Sequence, residues 1–287
     1  MSTRGIVKLF TICLAFVLSA SLLNAQTALT FTTINAPGAT ETDCNAINTT
    51  GTIVGFFLDS SGIGHGFSLT AGKFKKIDVP NATDTRAYGI NDAGTIVGWY
   101  IDQSGVTHGF SLAAGKFSKI DPPGSTLTNA WSINTAGVIV GAFTDSAGVF
   151  HGFMDNAGTY TTFDAPGGSI LTEFTGINNK NQMVGIFDDS TGTEHGFTVA
   201  GTTFNSVTYP SATVTATDRI NDSGEIVGLH GTNTAGPFSG YMRIGKVYTD
   251  VAAPNSTETR VRGLNNGGTL VGRFTDSGGV IHGFSAQ

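Results

Sequence analysis

The stretch Gly89-Ile90-Asn91-Asp92-Ala93-Gly94-Thr95-Ile96-Val97-Gly98 places a short polar segment between two apolar ones. An Asn followed three residues later by Gly is typical of a tight turn, because Gly readily adopts the left-handed conformation that such turns need. Residues 86–90 and 95–101 on either side are short and rich in β-branched or aromatic residues. The stretch therefore predicts two strands joined by a tight turn.

The same pattern occurs six times in the 287 residues, at intervals of 43 or 44 residues. The turn Asn recurs at Asn48, Asn91, Asn134, Asn178, Asn221 and Asn265. A downstream His-Gly-Phe segment recurs at 65–67, 108–110, 151–153, 195–197 and 282–284, with Ser239-Gly240-Tyr241 in the fifth copy. Gly closes five of the turns and Asn181 closes the fourth, which supports the turn assignment because Asn also tolerates the left-handed conformation.

Each repeat predicts four short strands, which is the usual content of one propeller blade. Residues 29–34 form an additional outer-type strand before the first full repeat, and the last repeat lacks its outer strand. We therefore predict an all-β, six-bladed β-propeller of four-stranded blades, with the ring closed by the N-terminal strand. An open β-solenoid is the alternative, but it leaves the offset between the two ends unexplained.

Residues 1–25 combine two basic residues, an apolar run and a small-residue cleavage point before Gln26. This arrangement predicts a signal peptide, because the apolar run is shorter than the ~20 residues of a membrane span. We expect residues 26–287 to form a single propeller domain of a secreted protein, extracellular or periplasmic, with no membrane span.

Residues 26–287 hold 13 basic and 21 acidic residues, a net charge of −8 that argues against nucleic acid as a partner. Cys44 is their only cysteine, so no disulfide can form within them. No zinc-type spacing of His and Cys occurs, and we predict no cofactor and no metal. We expect a monomer with a glycan or a protein as its ligand.

The unit formed by residues 89–98, Asp102, Gly105 and His108-Gly109-Phe110 resembles the repeat of the HAF family of probable extracellular repeat proteins. The chain differs in carrying Gly where that repeat has Ala, so it resembles a His-Gly-Phe variant. The resemblance covers nearly all of residues 26–287 and implies a secreted bacterial repeat protein. It implies no activity and no catalytic residues.

Residues that recur in every repeat are explained most simply by the shared fold. The five recurrent histidines are predicted to make a structural hydrogen bond within each blade, since positions one blade apart cannot share one metal ion. The recurrent aspartates are predicted to cap their own turns. Calcium is the alternative for them, but one carboxylate supplies few of the ~6–8 oxygens that calcium takes. These aspartates are Asp59, Asp102, Asp145, Asp189 and Asp276.

Two positions near the start of each innermost strand vary in chemistry between repeats. The first variable column comprises Asp43, Arg86, Asn129, Glu173, Ala216 and Arg260. The second variable column comprises Asn45, Tyr88, Trp131, Thr175, Asp218 and Arg262. We predict that these columns line the mouth, the end of the ring that carries the blade-to-blade connectors. Tyr88 and Trp131 suit stacking on a sugar, although both rings could instead pack between blades.

The candidate ligand-binding residues are therefore Asp43, Arg86, Tyr88, Asn129, Trp131, Glu173, Asp218, Arg260 and Arg262. A non-enzymatic binding or scaffold module is the first functional hypothesis. A polysaccharide hydrolase or lyase that uses two of Asp43, Glu173 and Asp218 is the second. A purely structural surface or matrix component is the third. The fifth repeat, which has lost its turn Asp and its column His, is either a drifted or a specialised blade.

Overall fold

The computed structural model describes residues 29–287, so the predicted signal peptide at 1–25 lies outside the described residues. Within 29–287 the chain forms 24 strands and no helix. The strands form six separate four-stranded antiparallel sheets, which are the blades of a β-propeller. The predicted fold class and blade number are confirmed.

The strand bounds are regular from blade to blade. Blade 1 comprises β2 (Glu41–Ile47), β3 (Ile53–Leu58), β4 (Gly64–Thr70) and β5 (Lys73–Ile77). Blade 2 comprises β6 (Asp84–Ile90), β7 (Ile96–Ile101), β8 (Thr107–Ala113) and β9 (Lys116–Ile120). Blade 3 comprises β10 (Leu127–Ile133), β11 (Ile139–Thr144), β12 (Phe150–Asn156) and β13 (Thr159–Phe163).

Blade 4 comprises β14 (Leu171–Ile177), β15 (Gln182–Asp188), β16 (Glu194–Ala200) and β17 (Thr203–Val207). Blade 5 comprises β18 (Val214–Ile220), β19 (Ile226–Gly231), β20 (Ser239–Ile244) and β21 (Val247–Val251). Blade 6 comprises β22 (Ser256–Leu264), β23 (Leu270–Asp276), β24 (Ile281–Ala286) and, as its outer strand, β1 (Phe31–Ile34).

Blade 6 contains strands from both ends of the described chain. β1 pairs antiparallel with β24, with Phe31 opposite Ala286 and Ile34 opposite Gly283. The innermost strand of blade 1, β2, packs against β22, β23 and β24. The Asn265 side-chain amide donates a hydrogen bond to the Asn48 carbonyl oxygen at 3.1 Å, which also joins blade 6 to blade 1. That the β1–β24 pairing holds the ring closed in solution stays a prediction.

The core of each blade interface includes two recurrent residues. The valines of the Val-Gly pairs are fully buried, and so are the aromatic residues of the His-Gly-Phe segments. The aromatic residues are Phe67, Phe110, Phe153, Phe197, Tyr241 and Phe284. Burying a large apolar side chain stabilises a fold by about 1.5–3 kcal/mol, so this shared pair contributes in every blade.

The tight turns adopt the backbone conformation that the sequence predicts. Asn181 has φ +55°, in the same left-handed region as Gly94 at +79°. The residue after each column proline also has positive φ, for example Asn81 at +64°, as expected for a type II turn. The Asn turns lie at one end of the ring. The proline turns belong to the blade-to-blade connectors and lie at the other end, the mouth.

Candidate functional site

A β-bulge interrupts every innermost strand at the same place. In β6 the register with β7 shifts between Ala87 and Gly89, so Tyr88 has no partner in the ladder. The other five blades shift in the same way. The six bulged residues are Asn45, Tyr88, Trp131, Thr175, Asp218 and Arg262, which are the second variable column. A bulge re-aims a side chain out of the regular alternation, and all six of these residues line the mouth.

The glycine of each Val-Gly pair makes this bulge possible. A Cβ built on Gly98 would lie 2.0 Å from the carbonyl oxygen of Arg86, and the equivalent glycines meet the same contact. No side chain fits at that distance, so the recurrent glycine lets the second strand approach the bulged strand. The bulge, and with it the position of the second variable column, is thus encoded in the repeat itself.

The bulged residues enclose a cavity of about 610 Å³ at the mouth, termed the mouth cavity. Its apolar wall includes Ile186, Leu229 and Phe238. Its charged lining comprises Glu173, Asp188, Glu194, Asp218, Arg219, Arg260 and Arg262. A volume of this size is within the range of small-molecule and oligosaccharide sites.

Tyr88 and Trp131 form the aromatic part of the lining. Their ring centroids are 4.4 Å apart at an interplanar angle of 85°, an edge-to-face contact between neighbouring blades. Trp99 also stacks on Tyr88, with ring centroids 6.2 Å apart. Burial raises the pKa of Tyr88 to about 12, so its hydroxyl stays protonated. Trp131 therefore packs on Tyr88 and also lines the cavity.

Two arginines of the mouth cavity, Arg260 and Arg262, form ion pairs with carboxylates of the protein. Arg262 Nη1 donates to Asp218 Oδ1 at 2.8 Å. Although burial alone would lower the pKa of Arg262, the carboxylates of Asp218 and Asp43 raise it above its ordinary value. Arg260 Nε pairs with Glu258 at 2.5 Å, and its guanidinium lies 4.8 Å from the Phe238 ring centroid.

The carboxyl groups of blade 4 have no such partners. Burial raises the pKa of Glu173 to about 7, and the charge of Glu194 adds to the shift. Burial also raises the pKa of Glu194 to about 7, with Asp218 and Asp188 adding to it. The pKa of Asp188 is raised as well, first by burial and then by Asp189. Buried acids with pKa values near neutrality are characteristic of functional sites.

Arg219 forms the floor of the mouth cavity. Its guanidinium crosses the axis and donates hydrogen bonds to the carbonyl oxygens of Tyr88 at 2.5 Å, Trp131 at 2.9 Å and Thr175. It also lines the narrower axial channel beneath, so it separates the two spaces. Burial lowers the pKa of Arg219 to about 10, opposed by Asp218.

Several buried polar atoms at the mouth have no hydrogen-bond partner among residues 29–287. They include Asn45 Oδ1, Trp131 Nε1, Asp218 Oδ2 and Arg262 Nε, all on bulged residues. The Trp131 indole lies near enough to Glu173 to lower the pKa of that carboxyl, but it does not reach hydrogen-bond geometry. Buried polar groups are nearly always satisfied, so a cluster of exceptions indicates a place where a ligand or water completes the bonding.

Three of the nine candidate residues do not line the mouth cavity. Asp43 is buried and lies 3.4 Å from Arg273 Nη1. Arg86 pairs with Asp84 at 3.0 Å, and its guanidinium stacks on Phe56 of the preceding blade at 4.4 Å.

Asn129 is half-buried on β10 and lies outside the lining. The expectation that Asp43, Arg86 and Asn129 face the mouth is therefore corrected. They belong to the first variable column, whose other members Glu173, Ala216 and Arg260 do line the cavity. Asp43 and Arg86 instead contact neighbouring blades. The other six candidates do line the cavity: Tyr88, Trp131, Glu173, Asp218, Arg260 and Arg262.

The sequence also signals lining residues that were not among the candidates. Asp188 stands where other repeats have Leu58, Ile101, Thr144 and Thr275. Glu194 stands where other repeats have Gly64, Thr107, Phe150 and Ile281. Arg219 stands where the others have only Ala, Gly or Ser. A charged exception in an uncharged column is the signal that identifies all three.

The recurrent histidines make hydrogen bonds within their blades, as predicted. His108 bonds Asp121 Oδ2 at 2.8 Å and Asp102 Oδ2 at 3.4 Å. Asp102 Oδ1 also accepts from the backbone N–H groups of Ser104 and Val106, which caps the turn. The hydrogen bond from the Ser104 hydroxyl, and after it these bonds, lower the pKa of Asp102 below its ordinary value.

In blade 5 the histidine lies on the second strand, β19, instead of the third strand. His230 stacks on Tyr209 with ring centroids 3.6 Å apart and bonds Asp250 at 3.0 Å. The divergent repeat therefore keeps a histidine–aspartate pair at a new position.

Within residues 29–287, no group of three or more His, Cys, Asp or Glu side chains is arranged to hold a metal ion. The same residues contain no helix that is long and apolar enough to cross a membrane.

No protein-family model matches the chain, and no curated protein matches it. Solved structures do resemble it. The six-bladed β-propeller lectin of Aleuria aurantia, described with a novel mode of fucose recognition, aligns with a TM-score of 0.53 and 10% identity over 88% of this chain and 93% of that one.

Two further structures support the same architecture. A mutant of AofleA from Arthrobotrys oligospora aligns with a TM-score of 0.55 and 12% identity, over 90% of this chain and 86% of that one. The β-propeller domain of the Trilobed protease from Pyrococcus furiosus, which has an open velcro topology, aligns with a TM-score of 0.53 and 8% identity over 86% and 95%. At these identities the likeness shows a shared fold.

Proposed function

We propose that this chain is a non-enzymatic binding module that holds a glycan in the mouth cavity. One observation carries the proposal: buried polar atoms without partners lie beside an aromatic pair in a single cavity. Sugar hydroxyl groups both donate and accept hydrogen bonds, and the apolar faces of sugar rings stack on aromatic side chains. Trp131 Nε1 is a donor and Asn45 Oδ1 an acceptor that residues 29–287 leave without a partner.

The fucose-recognising lectin of Aleuria aurantia shares the six-bladed architecture, which makes glycan binding by such a ring physically reasonable. The chemistry must come from this chain's own residues, since at 10% identity the site residues are not transferable. The proposal therefore rests on the mouth cavity itself.

A glycan array, followed by calorimetric titration of the best oligosaccharide, tests the proposal. Trp131→Ala should weaken binding at least about tenfold, because removing a stacking aromatic from a buried contact costs roughly 1–3 kcal/mol. Tyr160→Ala is the matched control, since Tyr160 is an aromatic residue on the outer strand β13. Equal loss in both variants, or binding to no glycan, would contradict a glycan site at the mouth.

A polysaccharide hydrolase or lyase is the second candidate, and one observation favours it. Glu173 and Glu194 share the cavity and have pKa values raised to about 7, so either could donate a proton near neutral pH. Release of reducing ends from the best-bound glycan, abolished by Glu173→Gln, would establish catalysis. Binding with no turnover would leave the binding module alone.

We also propose that residues 1–25 direct export, so the ligand is met outside the cytoplasm. The signal-like pattern of these residues and the resemblance to HAF repeats support this. N-terminal sequencing of the exported protein should begin at Gln26.

A further inference from the structure

Positive and negative charges in the lining of the mouth cavity differ in how many ion-pair partners they have among residues 29–287. On one side, Arg262 is paired with Asp218 and Arg260 with Glu258. Arg219 donates its hydrogen bonds to main-chain carbonyl oxygens, and the charge of Asp218 acts to raise its pKa. Two of the three arginines in the lining therefore already have a carboxylate partner, and the third is held by main-chain carbonyl oxygens.

In contrast, three carboxyl groups of blade 4 form no ion pair among residues 29–287; the more distant charges of Arg262 and Arg260 lower the pKa of Glu194 but do not outweigh burial and the neighbouring carboxylates. Among residues 29–287, the side chains of Glu173, Asp188 and Glu194 form no ion pair and no hydrogen bond of standard geometry. Beyond the effect of burial, the charges of Glu194 and Asp188 raise the pKa of Glu173, and those of Asp218 and Asp188 raise the pKa of Glu194. Such mutual repulsion is relieved when a positive charge comes between like charges.

A second observation independently points to a hydrogen-bond donor as the missing partner. Asp218 Oδ2 and Asn45 Oδ1 both lack a donor among the described residues, and both residues line the mouth cavity. Asp218 is 7% exposed and Asn45 1% exposed, so few water positions can serve them. An unsatisfied buried acceptor costs about 1–3 kcal/mol, which a donor-rich ligand would recover.

The aromatic wall fits the same chemistry. Trp131 and Tyr88 stand beside Glu173 in the lining, and the indole of Trp131 is close enough to influence that carboxyl. The faces of aromatic rings attract cations. Carboxylates next to aromatic rings therefore form a surface suited to an ammonium group.

We propose that the glycan held in the mouth cavity carries a protonated amine, as a free amino sugar does, and that Glu173, Asp188 and Glu194 recognise it. This inference rests on the glycan-binding function proposed above and specifies the class of its ligand. A neutral sugar would leave these carboxyl groups without a counter-charge, with Glu173 and Glu194 about half protonated near pH 7, and a uronic acid would add a further negative charge.

Calorimetry with four oligosaccharides of matched length tests the inference. The probes are a glucosamine oligomer, its N-acetylated counterpart, a neutral glucose oligomer and a galacturonate oligomer, at a pH where the amine is protonated. The amine-bearing oligomer should bind at least about tenfold more tightly than the others, since close charge pairs in interfaces couple by about 1.5 kcal/mol or more.

Glu194→Gln should remove most of this preference, so that the affinity for the amine-bearing oligomer falls more than the affinity for the N-acetylated oligomer. Glu173→Gln provides a second variant with the same expectation, and thermal melting verifies that both are folded. Asp164→Asn removes one charge from an exposed connector outside the cavity and should keep the full preference.

The possible failures separate the two proposals. Equal or tighter binding of the N-acetylated, neutral or acidic oligomer would overturn the amine inference while the glycan-binding function stands. The same preference in Glu194→Gln, Glu173→Gln and wild type would also overturn it, because the carboxyl groups would not be the cause. Binding of none of the four would overturn both.

Discussion

The guanidinium of Arg219, on the innermost strand of blade 5, donates a hydrogen bond to the carbonyl oxygen of Trp131, on the innermost strand of blade 3, at 2.9 Å. The same group reaches the carbonyl oxygens of Tyr88 and Thr175, so one side chain joins the bulges of four blades. The corresponding residues of other blades are small, and a Cβ on Gly89 would lie 3.0 Å from the neighbouring strand. The five small residues let the innermost strands lie close together around the axis, and the Arg219 side chain fills the remaining space.

Replacing this arginine should destabilise the ring and open the mouth cavity to the axial channel. Arg219→Gly gives blade 5 the residue that blades 2, 4 and 6 already have. We expect the free energy of unfolding to fall by about 2 kcal/mol or more, because several charge-assisted hydrogen bonds to buried carbonyl oxygens are lost. Urea denaturation measures this. An unchanged midpoint would show that the desolvation of the cation cancels its bonds.

The prediction from sequence succeeded where each residue acts locally and repeats. The Asn91 turn, the Asp102 cap and the His108 bonds each depend on neighbours within one repeat, so the period and the turn chemistry identify them. The number of blades follows from counting these units.

The same reasoning was incomplete for the first variable column. Its members Glu173 and Arg260 line the mouth cavity, whereas the Arg86 guanidinium stacks on Phe56 of the preceding blade, a contact between repeats that the repeat pattern does not reveal. The contacts of Arg219 could not be predicted either, because they join residues up to 131 positions apart. Only the three-dimensional ring brings those residues together.

The raised pKa values of blade 4 predict a stability that depends on pH. An acid whose folded pKa lies above its unfolded value holds more protons in the native state, so stability falls as pH rises from about 4.5 to about 7. Glu194→Gln removes the free-energy cost of ionising one of these buried carboxyl groups. We expect this variant to gain about 1–3 kcal/mol over wild type at pH 8 and almost nothing at pH 4.

Chemical denaturation of wild type and Glu194→Gln at both pH values provides the measurement. Glu225→Gln, the same replacement at a carboxyl whose one hydrogen bond, from Asn221 Nδ2, the amide oxygen can keep, serves as the control. A gain of equal size at pH 4 and pH 8 would refute the assignment of a raised pKa to Glu194.

The pairing of β1 with β24 predicts a strong effect of the N-terminal strand. A chain that begins at residue 36 loses the packing of Phe31 on Phe284, whose ring centroids are 5.2 Å apart, and exposes the edge of β24. We expect the melting temperature to fall by about 10 °C or more, with aggregation through the free edge. A peptide of residues 26–35 added in trans should restore it; a melting temperature unaffected by the truncation would show that β1 does not hold the ring closed.

The histidine column should prove structural. His108→Ala removes the bonds to Asp102 and Asp121, and we expect the free energy of unfolding to fall by about 1 kcal/mol. Ligand affinity should not change, because His108 lies outside the mouth cavity. Loss of affinity at unchanged stability would instead place the ligand at the histidines.

The central claim is that the bulged residues of the innermost strands bind a glycan in one cavity at the mouth. Calorimetric titration of the best array glycan into wild type, Trp131→Ala and Tyr160→Ala tests it most directly. We predict one binding site per chain, at least about tenfold weaker binding in Trp131→Ala and unchanged binding in Tyr160→Ala. Several equivalent sites per chain with full affinity in Trp131→Ala would contradict the claim, because they would place the ligand on the repeated parts of the blades.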